Sequence, residues 1–383
     1  GRKCHVMKKR VSIAIAIIAL AAGLGGLGYY LTHYVDSVRV VYKRWKAPNP
    51  YVFEEIHPRY RKTDPAALIT VRSQAALTAR RQDLQRVIWG VSGPPWDKQP
   101  AAITTVPAPP GLDGLAGLAR TERLEAPMDH GYTAVVYILH PERKPEPTSK
   151  GGRVLLYHHG YAGTIAQARP ILQRALDEGD TVAAFNYPGY GENNYPLAYY
   201  PKFGWHEASR DRILTLADHP IRFYVEPIVV VLNYASKTGG YDSFDIIGFS
   251  AGGWTAGIAA AVDLRLRYAY SVAGGYPLYL RAGVHKNQSA PPQLYGPLVR
   301  AANYLDMYVL AAAGLGRRFL QVFNRFDRCC FANTLGRLYE PAVKAAVKDV
   351  NAGGAFTVLI DETHADHKVS KWAIDQIFND RRK

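Results

Sequence analysis

Short apolar runs alternate with segments of helical periodicity from about residue 118 to the end of the chain. The runs are rich in Val, Ile, Leu, Phe and Tyr, which is typical of buried strands, and they lie at 119–124, 132–139, 153–157, 181–185, 244–247, 318–323 and 356–360. Helical spacing is found at 165–177, 220–236, 251–261 and 370–378. Strands that alternate with helices predict an α/β fold, with a mostly parallel central sheet and helices on both of its faces.

An apolar segment occupies residues 11–31, and its 21 residues include no charged side chain. About 20 such residues are enough for a helix to span a bilayer. A signal peptide would use residues 8–10 as its basic region and residues 19–21 as its cleavage site. An uncleaved signal anchor would use the whole segment, and its length, the Tyr29–Tyr30 pair and the basic residues that follow favour this interpretation. We therefore predict a membrane-anchored protein with an exported main domain, which is secreted or periplasmic if the segment is cleaved.

A basic tail, residues 1–10, precedes this segment, and residues 32–117 are predicted to form a linker and a helical extension. Asp64 and Pro65 match an N-cap followed by proline at the first helical position, and an apolar helical pattern continues to Trp89. Six prolines between residues 92 and 114 predict extended surface chain rather than a strand. The main domain is then 118–383, in which the long stretch 276–316 predicts a small inserted cap.

The net charge of +15 is concentrated near the N-terminus. Residues 1–62 carry 12 Lys or Arg against three Asp or Glu, a net charge of +9, and the other 321 residues contribute +6 from 35 basic and 29 acidic side chains. Because more than half of the excess flanks the apolar segment, we expect anionic lipid headgroups as its partner. The sequence contains no nucleic-acid-binding module, and we expect no nucleic-acid partner.

The sequence predicts neither a cofactor nor a metal site. Residues 23–28 match the dinucleotide pattern G-x-G-x-x-G, but they lie inside the apolar segment and no strand precedes them. Small residues that pack a helix in lipid explain this pattern better. No cluster of His, Cys, Asp and Glu has the spacing of metal ligands. Cys329 and Cys330 are adjacent, which leaves two interpretations open, buried thiols or a vicinal disulfide.

One strand runs directly into a candidate nucleophile. The run 244–247 is followed by the pentapeptide GFSAG, residues 248–252, and then by a helix of small residues. A strand, Gly-x-Ser-x-Gly and a helix form a nucleophile elbow, in which Ser250 stands on a strained turn. Gly248 and Gly252 are needed because the two backbones pass close to the serine. A tight strand-to-helix turn without chemistry is the alternative interpretation.

The order of these elements resembles that of the α/β-hydrolase superfamily over residues 118–383. Residues 155–160 (LLYHHG) resemble the oxyanion loop after the third strand, and residues 186–191 (NYPGYG) resemble the loop after the fourth. The resemblance implies the α/β-hydrolase fold, with the backbone N–H groups of Tyr161 and Ala251 as donors to a developing oxyanion. It also implies an acid and a base later in the chain, in the order Ser, Asp, His.

The predicted acid is Asp327, which follows the strand 318–323. In the alternative, this carboxylate only pairs with Arg325 or Arg328. Asp306, on a helical segment, is a weaker candidate for the acid.

Two histidines compete for the role of base after the last strand. His364 lies four residues beyond that strand and is preferred, and His367, closer to the final helix, is the alternative. His158 and His159 precede the oxyanion loop and are expected to be packing residues.

Ser250, Asp327 and one of these histidines predict a serine hydrolase that cleaves an ester by acyl transfer to water. The expected substrate is a small-molecule or lipid-like ester, and Tyr195, Tyr199, Tyr200, Phe203 and Trp205 are candidates for its rim. An amidase or peptidase would use the same triad. A catalytically inactive, membrane-tethered binding protein on a hydrolase fold is the alternative of a different class, and the complete Ser–Asp–His order favours the enzyme.

Overall fold

The computed structural model describes residues 2–48, 56–142, 152–161, 163–238, 240–282 and 290–382. Its helices are α1 (Arg2–Tyr34), α2 (Asp36–Lys46), α3 (Pro65–Leu68), α4 (Gln74–Trp89), α5 (Arg169–Asp177), α6 (Ile213–Leu216), α7 (Arg222–Thr238), α8 (Ala251–Val262), α9 (Gly296–Ala301), α10 (Tyr304–Ala312), α11 (Glu340–Asp349) and α12 (Lys371–Asp380). Its strands are β1 (Ala102–Val106), β2 (Leu118–Pro127), β3 (Thr133–Pro141), β4 (Gly152–His158), β5 (Thr181–Phe185), β6 (Leu197–Tyr200), β7 (Gly204–Glu207), β8 (Tyr241–Phe249), β9 (Leu266–Val272), β10 (Arg318–Asn324) and β11 (Ala355–Asp361).

Nine of the described strands pair into one sheet in the order β1-β2-β3-β5-β4-β8-β9-β10-β11. The first four of these pair antiparallel, and the strands from β5 to β11 are parallel. Every residue of β5 is buried, as expected for a parallel strand covered on both faces. Helices α5 and α12 share one buried apolar cluster with the sheet, and α7, α8 and α10 share another. The predicted α/β fold with helices on both faces is confirmed.

The sheet begins earlier in the chain than residue 118. Residues 102–106 form β1, which pairs antiparallel with β2, with Ile103 opposite Leu124. The prediction that residues 92–114 contain no strand was therefore wrong. The physical reason is that Ile-Thr-Thr-Val is a β-branched run, and Pro100 and Pro107 flank this edge strand without occupying its ladder.

The helical extension is part of the main core. Leu84 and Ile88 of α4 are fully buried in the cluster that also holds α7 and α8. Arg81 is buried as well, and its guanidinium donates to the carbonyls of Ala261 and Leu310. The extension therefore covers helices of the main domain.

The single helix that the sequence predicted for this extension is broken into α3 and α4. Ser73 caps α4 by accepting a hydrogen bond from the amide of Ala76 at 3.2 Å. Just before it, the amides of Thr70 and Val71 donate to the buried carboxylate of Asp306 at 2.7 and 3.1 Å. Asp306, the weaker candidate for the acid, is thus an anchor for the extension.

The described part of residues 276–316 does not have the arrangement of the cap that the sequence predicted. All nine residues of α10 are buried, and this helix packs between α8 and α11 rather than over the sheet edge. α9 packs against α4 of the extension. An apolar helix without a polar face must be covered on all sides, which explains why α10 lies in the core. Residues 283–289 of the predicted cap lie outside the described residues.

The apolar N-terminal segment forms the long helix α1. Its stretch Ile13–Tyr34 has a mean hydropathy of 1.9 and is long and apolar enough to cross a membrane, and none of it is buried against the rest of the protein. The glycines of the G-x-G-x-x-G pattern lie inside this helix, with no strand before them. This context excludes a dinucleotide fold at that position.

A buried ion cluster joins the end of the chain to the middle of the sheet. Arg381 is fully buried at its guanidinium and donates to Asp180 at 2.7 Å and to Asp245 at 2.8 Å. Asp180 also pairs with Arg153 at 2.8 Å. Two buried carboxylates therefore depend on Arg381 for compensation.

We predict that Arg381→Met lowers the free energy of unfolding by about 3–5 kcal/mol, because it leaves two buried carboxylates undercompensated. Denaturant titration of the purified protein in detergent, followed by circular dichroism, measures the change. Arg382→Met is the matched control, since that half-exposed side chain pairs with Glu178 at the surface and its loss should cost less than about 1 kcal/mol. Equal losses in the two variants would contradict the prediction.

Candidate active site

The elbow between β8 and α8 presents Ser250 on a strained turn. Ser250 has φ 56° and ψ −125°, a left-handed conformation that L-residues rarely adopt. The turn is held because the amide of Ser250 donates to the carbonyl of Val272 at 2.8 Å. A Cβ at Gly248 would collide with the carbonyl of Gly252, and a Cβ at Gly252 would collide with the carbonyl of His158. Both glycines are thus required by the close approach of backbones around the serine.

The ring of His367 lies between Ser250 and Asp327. Its Nε2 is 2.9 Å from the Oγ of Ser250, and its Nδ1 is 2.8 Å from Oδ2 of Asp327. Asp327 follows β10, and His367 lies in the loop between β11 and α12, so three parallel strands supply the three residues at one edge of the sheet. This is the hydrogen-bonding pattern of a nucleophile, a base and an orienting acid.

Asp327 is fixed from its other side as well. The carboxylate is buried, and its Oδ1 accepts the amides of Cys329 at 2.7 Å and Cys330 at 3.1 Å. These bonds leave Oδ2 directed at His367. Asp327 does not form the alternative ion pair with Arg325 or Arg328. Those side chains pair with Glu362 and Asp366 instead.

His364, the histidine preferred from the sequence, lies away from Ser250. Its buried ring has Nε2 at 3.2 Å from Asp361 and Nδ1 at 3.2 Å from the side-chain amide of Asn324. The preference for His364 is therefore corrected in favour of His367. The reason is distance: β9 and β10 separate β11 from β8, about 14 Å at the usual strand spacing, and a residue close to the end of β11 does not reach across them.

The carboxylate of Asp361 organises this base loop. It accepts hydrogen bonds from the amide of Thr363 at 2.8 Å, from the hydroxyl of Ser370 and from His364. Burial alone would raise the pKa of Asp361, but the bonds from His364, Ser370 and Thr363 outweigh it and lower the pKa from 3.8 to about 2. The ionised carboxylate therefore holds the loop that carries His367.

The loop after β4 lies directly against the elbow. A Cβ on Gly160 would come within 2.8 Å of the Cβ of Ser250 and 3.3 Å of the amide nitrogen of Ala251. Ala251 is the first residue of α8, so its N–H has no acceptor within the helix. Tyr161 follows Gly160, and its half-buried ring lies under the guanidinium of Arg210 at 4.6 Å. The two predicted oxyanion donors thus belong to two backbone segments that touch at the serine.

The two histidines of the β4 loop are packing residues. His158 stacks on Phe185, and burial lowers its pKa to about 4. His159 is held between the hydroxyl of Tyr157 at 2.9 Å and the side chain of Gln167 at 2.8 Å, and burial lowers its pKa too. Neither ring contacts Ser250 in the way that His367 does.

The aromatic residues proposed for the rim divide into two groups. Tyr195 and Tyr200 are buried, whereas Tyr199, Phe203 and Trp205 are exposed on the hairpin formed by β6 and β7. The hairpin follows the loop after β5 and is an element that the sequence did not predict.

The two adjacent cysteines form a vicinal disulfide, the second of the two interpretations that the sequence left open. Cys329, Cys330 and His367 offer ligand atoms within 4.8 Å of one another, which is the geometry of a potential metal site. In the disulfide, however, neither sulfur is a thiolate, and both nitrogens of His367 already contact Ser250 and Asp327. These residues do not fit a metal ion in this state.

A comparison with known families agrees with this geometry. A family profile described as alpha/beta hydrolase fold matches residues 153–294, which include the β4 loop and the elbow. The chain has the α/β-hydrolase fold. No curated protein matches the sequence significantly.

Several solved structures share the α/β-hydrolase fold with this chain. Methylesterase BT1017 has a TM-score of 0.57 at 13% identity, with 82% of this chain and 64% of that chain covered. A glucuronoyl esterase from Solibacter usitatus has a TM-score of 0.56 at 13% identity, with 83% and 96% covered. Acetyl xylan esterase 1 from a Thermoanaerobacterium species has a TM-score of 0.51 at 14% identity, with 82% and 96% covered. At such identities the likeness establishes the fold alone.

We predict that Asp361→Asn weakens the pH dependence of stability in acid. A folded-state pKa of about 2, below the ordinary 3.8, means that ionised Asp361 stabilises the fold above about pH 4 and that this contribution is lost as the pH falls towards about 2. The free energy of unfolding of the variant should therefore fall less steeply than that of the wild type over this range, as measured by denaturant titration at a series of pH values. Asp375→Asn, which alters a surface pair with Lys371, should follow the wild-type curve. If Asp361→Asn follows the wild-type curve as well, the assignment of the lowered pKa to Asp361 is refuted.

Proposed function

We propose that this protein is a serine hydrolase that cleaves carboxylic esters through Ser250, His367 and Asp327. The observation that carries the proposal is the pair of hydrogen bonds at His367, 2.9 Å to Ser250 and 2.8 Å to Asp327. A serine hydroxyl is a weak nucleophile near neutral pH, and a neutral imidazole within hydrogen-bond distance activates it. Asp327 selects the tautomer that carries its proton on Nδ1 and leaves Nε2 free to accept one.

The reaction proceeds in two acyl-transfer steps. The Oγ of Ser250 attacks the ester carbonyl carbon while its proton moves to Nε2 of His367. The oxyanion that forms receives hydrogen bonds from the N–H groups of Tyr161 and Ala251, each worth about 10²–10³ in rate in comparable enzymes. Collapse breaks the ester bond, and His367 gives its proton to the departing alcohol.

Water then releases the acid product. His367 takes a proton from the water as its oxygen attacks the acyl-serine, and the second tetrahedral species uses the same N–H donors. Its collapse returns the proton to Oγ of Ser250 and restores the free enzyme. Asp327 remains ionised throughout and stabilises the imidazolium that forms twice in each cycle.

The methylesterase and the acetyl xylan and glucuronoyl esterases that share this fold are named for ester cleavage, which supports an ester as the substrate class. The substrate we propose is a small-molecule or lipid-like ester. No cofactor takes part in these steps.

We also propose that α1 anchors the enzyme in a membrane and that the catalytic domain is exported. Ile13–Tyr34 is long and apolar enough for this role, and Tyr29, Tyr30 and Tyr34 are exposed at its end, where aromatic residues favour the membrane interface. The Cys329–Cys330 disulfide is consistent with an oxidising compartment.

We predict that His367→Ala lowers kcat/KM for a p-nitrophenyl ester by about 10³-fold or more and abolishes labelling of Ser250 by a fluorophosphonate probe. His364→Gln, at a histidine three residues away, keeps a side-chain N–H donor for Asp361 and should retain activity within about tenfold, because residue 364 contacts Asp361 and Asn324 rather than the serine. Circular dichroism shows whether each variant is folded.

Equal losses in two folded variants would overturn the assignment of His367. If folded wild-type protein is not labelled at Ser250 and hydrolyses no ester in a series of increasing acyl length, the protein is a binding protein on a hydrolase fold instead.

A further inference from the structure

The helix that follows α1 has two different long faces. Only Val35 separates α2 from α1, and Arg39 ties the two helices together by donating to the carbonyl of His33 at 3.1 Å. Helical spacing places two sets of side chains on opposite sides of α2. The inner face consists of Asp36, Val40 and Lys43, and the outer face consists of Val38, Val41 and Trp45.

The inner face of α2 contacts the loop that carries the acid. Val40 is buried against Phe326, the residue directly before Asp327. Lys43 donates from Nζ to the carbonyl of Phe326 at 2.8 Å. The residue before Phe326, Arg325, donates in turn to the carbonyl that follows α2, that of Ala47, at 2.8 Å. The backbone next to Asp327 is therefore held from the N-terminal helix.

The same helix contacts the loop that carries the base. Asp36 pairs with Lys368, the residue directly after His367, at 3.1 Å. Arg44 pairs with Glu362 at 3.1 Å at the beginning of this loop. Both loops of the proposed triad thus meet on one short helix.

The outer face of α2 is apolar and exposed. Trp45 is 77% exposed, Val41 is 66% exposed and Val38 is 37% exposed. Arg44 and Lys46 flank this stripe and are exposed as well. Tryptophan and valine beside basic side chains are typical of a helix that lies in the interface of a bilayer, with its cations among anionic headgroups.

A second exposed apolar surface lies on the same edge of the sheet. Leu197, Tyr199 and Trp205 are exposed on the β6–β7 hairpin. This hairpin packs against the turn between β2 and β3, with the rings of His130 and Tyr200 4.3 Å apart. β3 starts at the carboxyl end of β5, so the hairpin lies on the edge where Ser250 and α2 also lie.

We propose that α2 lies on the surface of an anionic bilayer with its outer face, while its inner face holds the acid and base loops, so that the catalytic edge of the sheet is kept at the membrane. The apolar stripe is covered by the interface of the bilayer that α1 spans. Only Val35 separates the end of α1 from the start of α2, and this places α2 at the end of the membrane span. The proposal rests on the membrane anchoring proposed above.

The position of α2 is tested with the full chain reconstituted in vesicles of equal parts phosphatidylcholine and phosphatidylglycerol whose acyl chains carry bromine near the headgroups. Bromine quenches tryptophan that enters the interface. The variants are made in a Trp205→Phe background, which removes the exposed tryptophan of the hairpin. We expect quenching in this background and loss of most of it when Trp45→Phe is added. Trp96→Phe is the matched control, because Trp96 is 48% exposed but stacks on Arg265 at the opposite, amino edge of the sheet.

If adding Trp45→Phe leaves quenching as strong as in the Trp205→Phe background while the protein stays in the vesicles after carbonate washing, α2 does not lie in the interface and the proposal is overturned. This measurement does not use catalysis, so its failure is distinct from failure of the proposed hydrolase activity.

The link from α2 to the triad is tested at Lys43. Lys43→Met keeps the apolar stem but removes the hydrogen bond to Phe326, and we expect kcat to fall by about tenfold or more with little change in KM, since small misplacements of catalytic groups cost up to about 10²-fold. Lys43→Arg should restore kcat, whereas Lys371→Met, at an exposed lysine of α12, should have no effect. Wild-type kcat in folded Lys43→Met would overturn the positioning role.

Discussion

The close crossing of two backbones at Ser250 is the constraint on which the rest of the site depends. β4 and β8 are adjacent parallel strands, so the loops that leave them must pass each other at the same edge of the sheet. Glycine at 160, 248 and 252 makes room for this crossing, and Ser250 adopts a positive φ as a result. The strain is stored in a turn whose surroundings are fully packed, since Ala251 and Trp254 of α8 are buried against the same core. The crossing that exposes the hydroxyl also brings the N–H of Ala251 beside the β4 loop.

The sequence could predict those parts of the fold and of the site that local physics determines. Parallel strands buried on both faces appear as continuous apolar runs, and the pentapeptide around Ser250 needs its glycines whatever surrounds it. Asp327 could be placed because it follows its strand directly. The choice between His364 and His367 could not be made in this way, because it depends on how far a loop travels across β10 and β9. The β6–β7 hairpin and β1 were missed for a related reason: short edge pairings gain their stability from neighbours that are distant in sequence.

Buried carboxylates supplement the apolar core at the N-terminal extension and at the loop that carries His367. Asp306 accepts two amides of the N-terminal extension, and Glu226 accepts Trp89 at 3.1 Å and Lys98 at 2.6 Å from the same extension. In the same way, Asp361 accepts hydrogen bonds within the loop that carries His367. A buried carboxylate is costly unless donors surround it, and removing one donor leaves the charge undercompensated. Each of these groups therefore specifies one arrangement of loops, which an apolar contact, being without direction, does not.

The loops that carry Asp327 and His367 receive support from outside the sheet as well. The proposed catalysis requires that both side chains stay aligned with Ser250. The hydrogen bonds to the amides of Cys329 and Cys330 orient Asp327 but do not fix its loop relative to the loop of His367. α2 contacts both loops, so it can hold their relative position, and its opposite face is apolar and exposed. A membrane that stabilises α2 through that face would then stabilise the alignment of acid and base, because the two faces belong to one rigid helix.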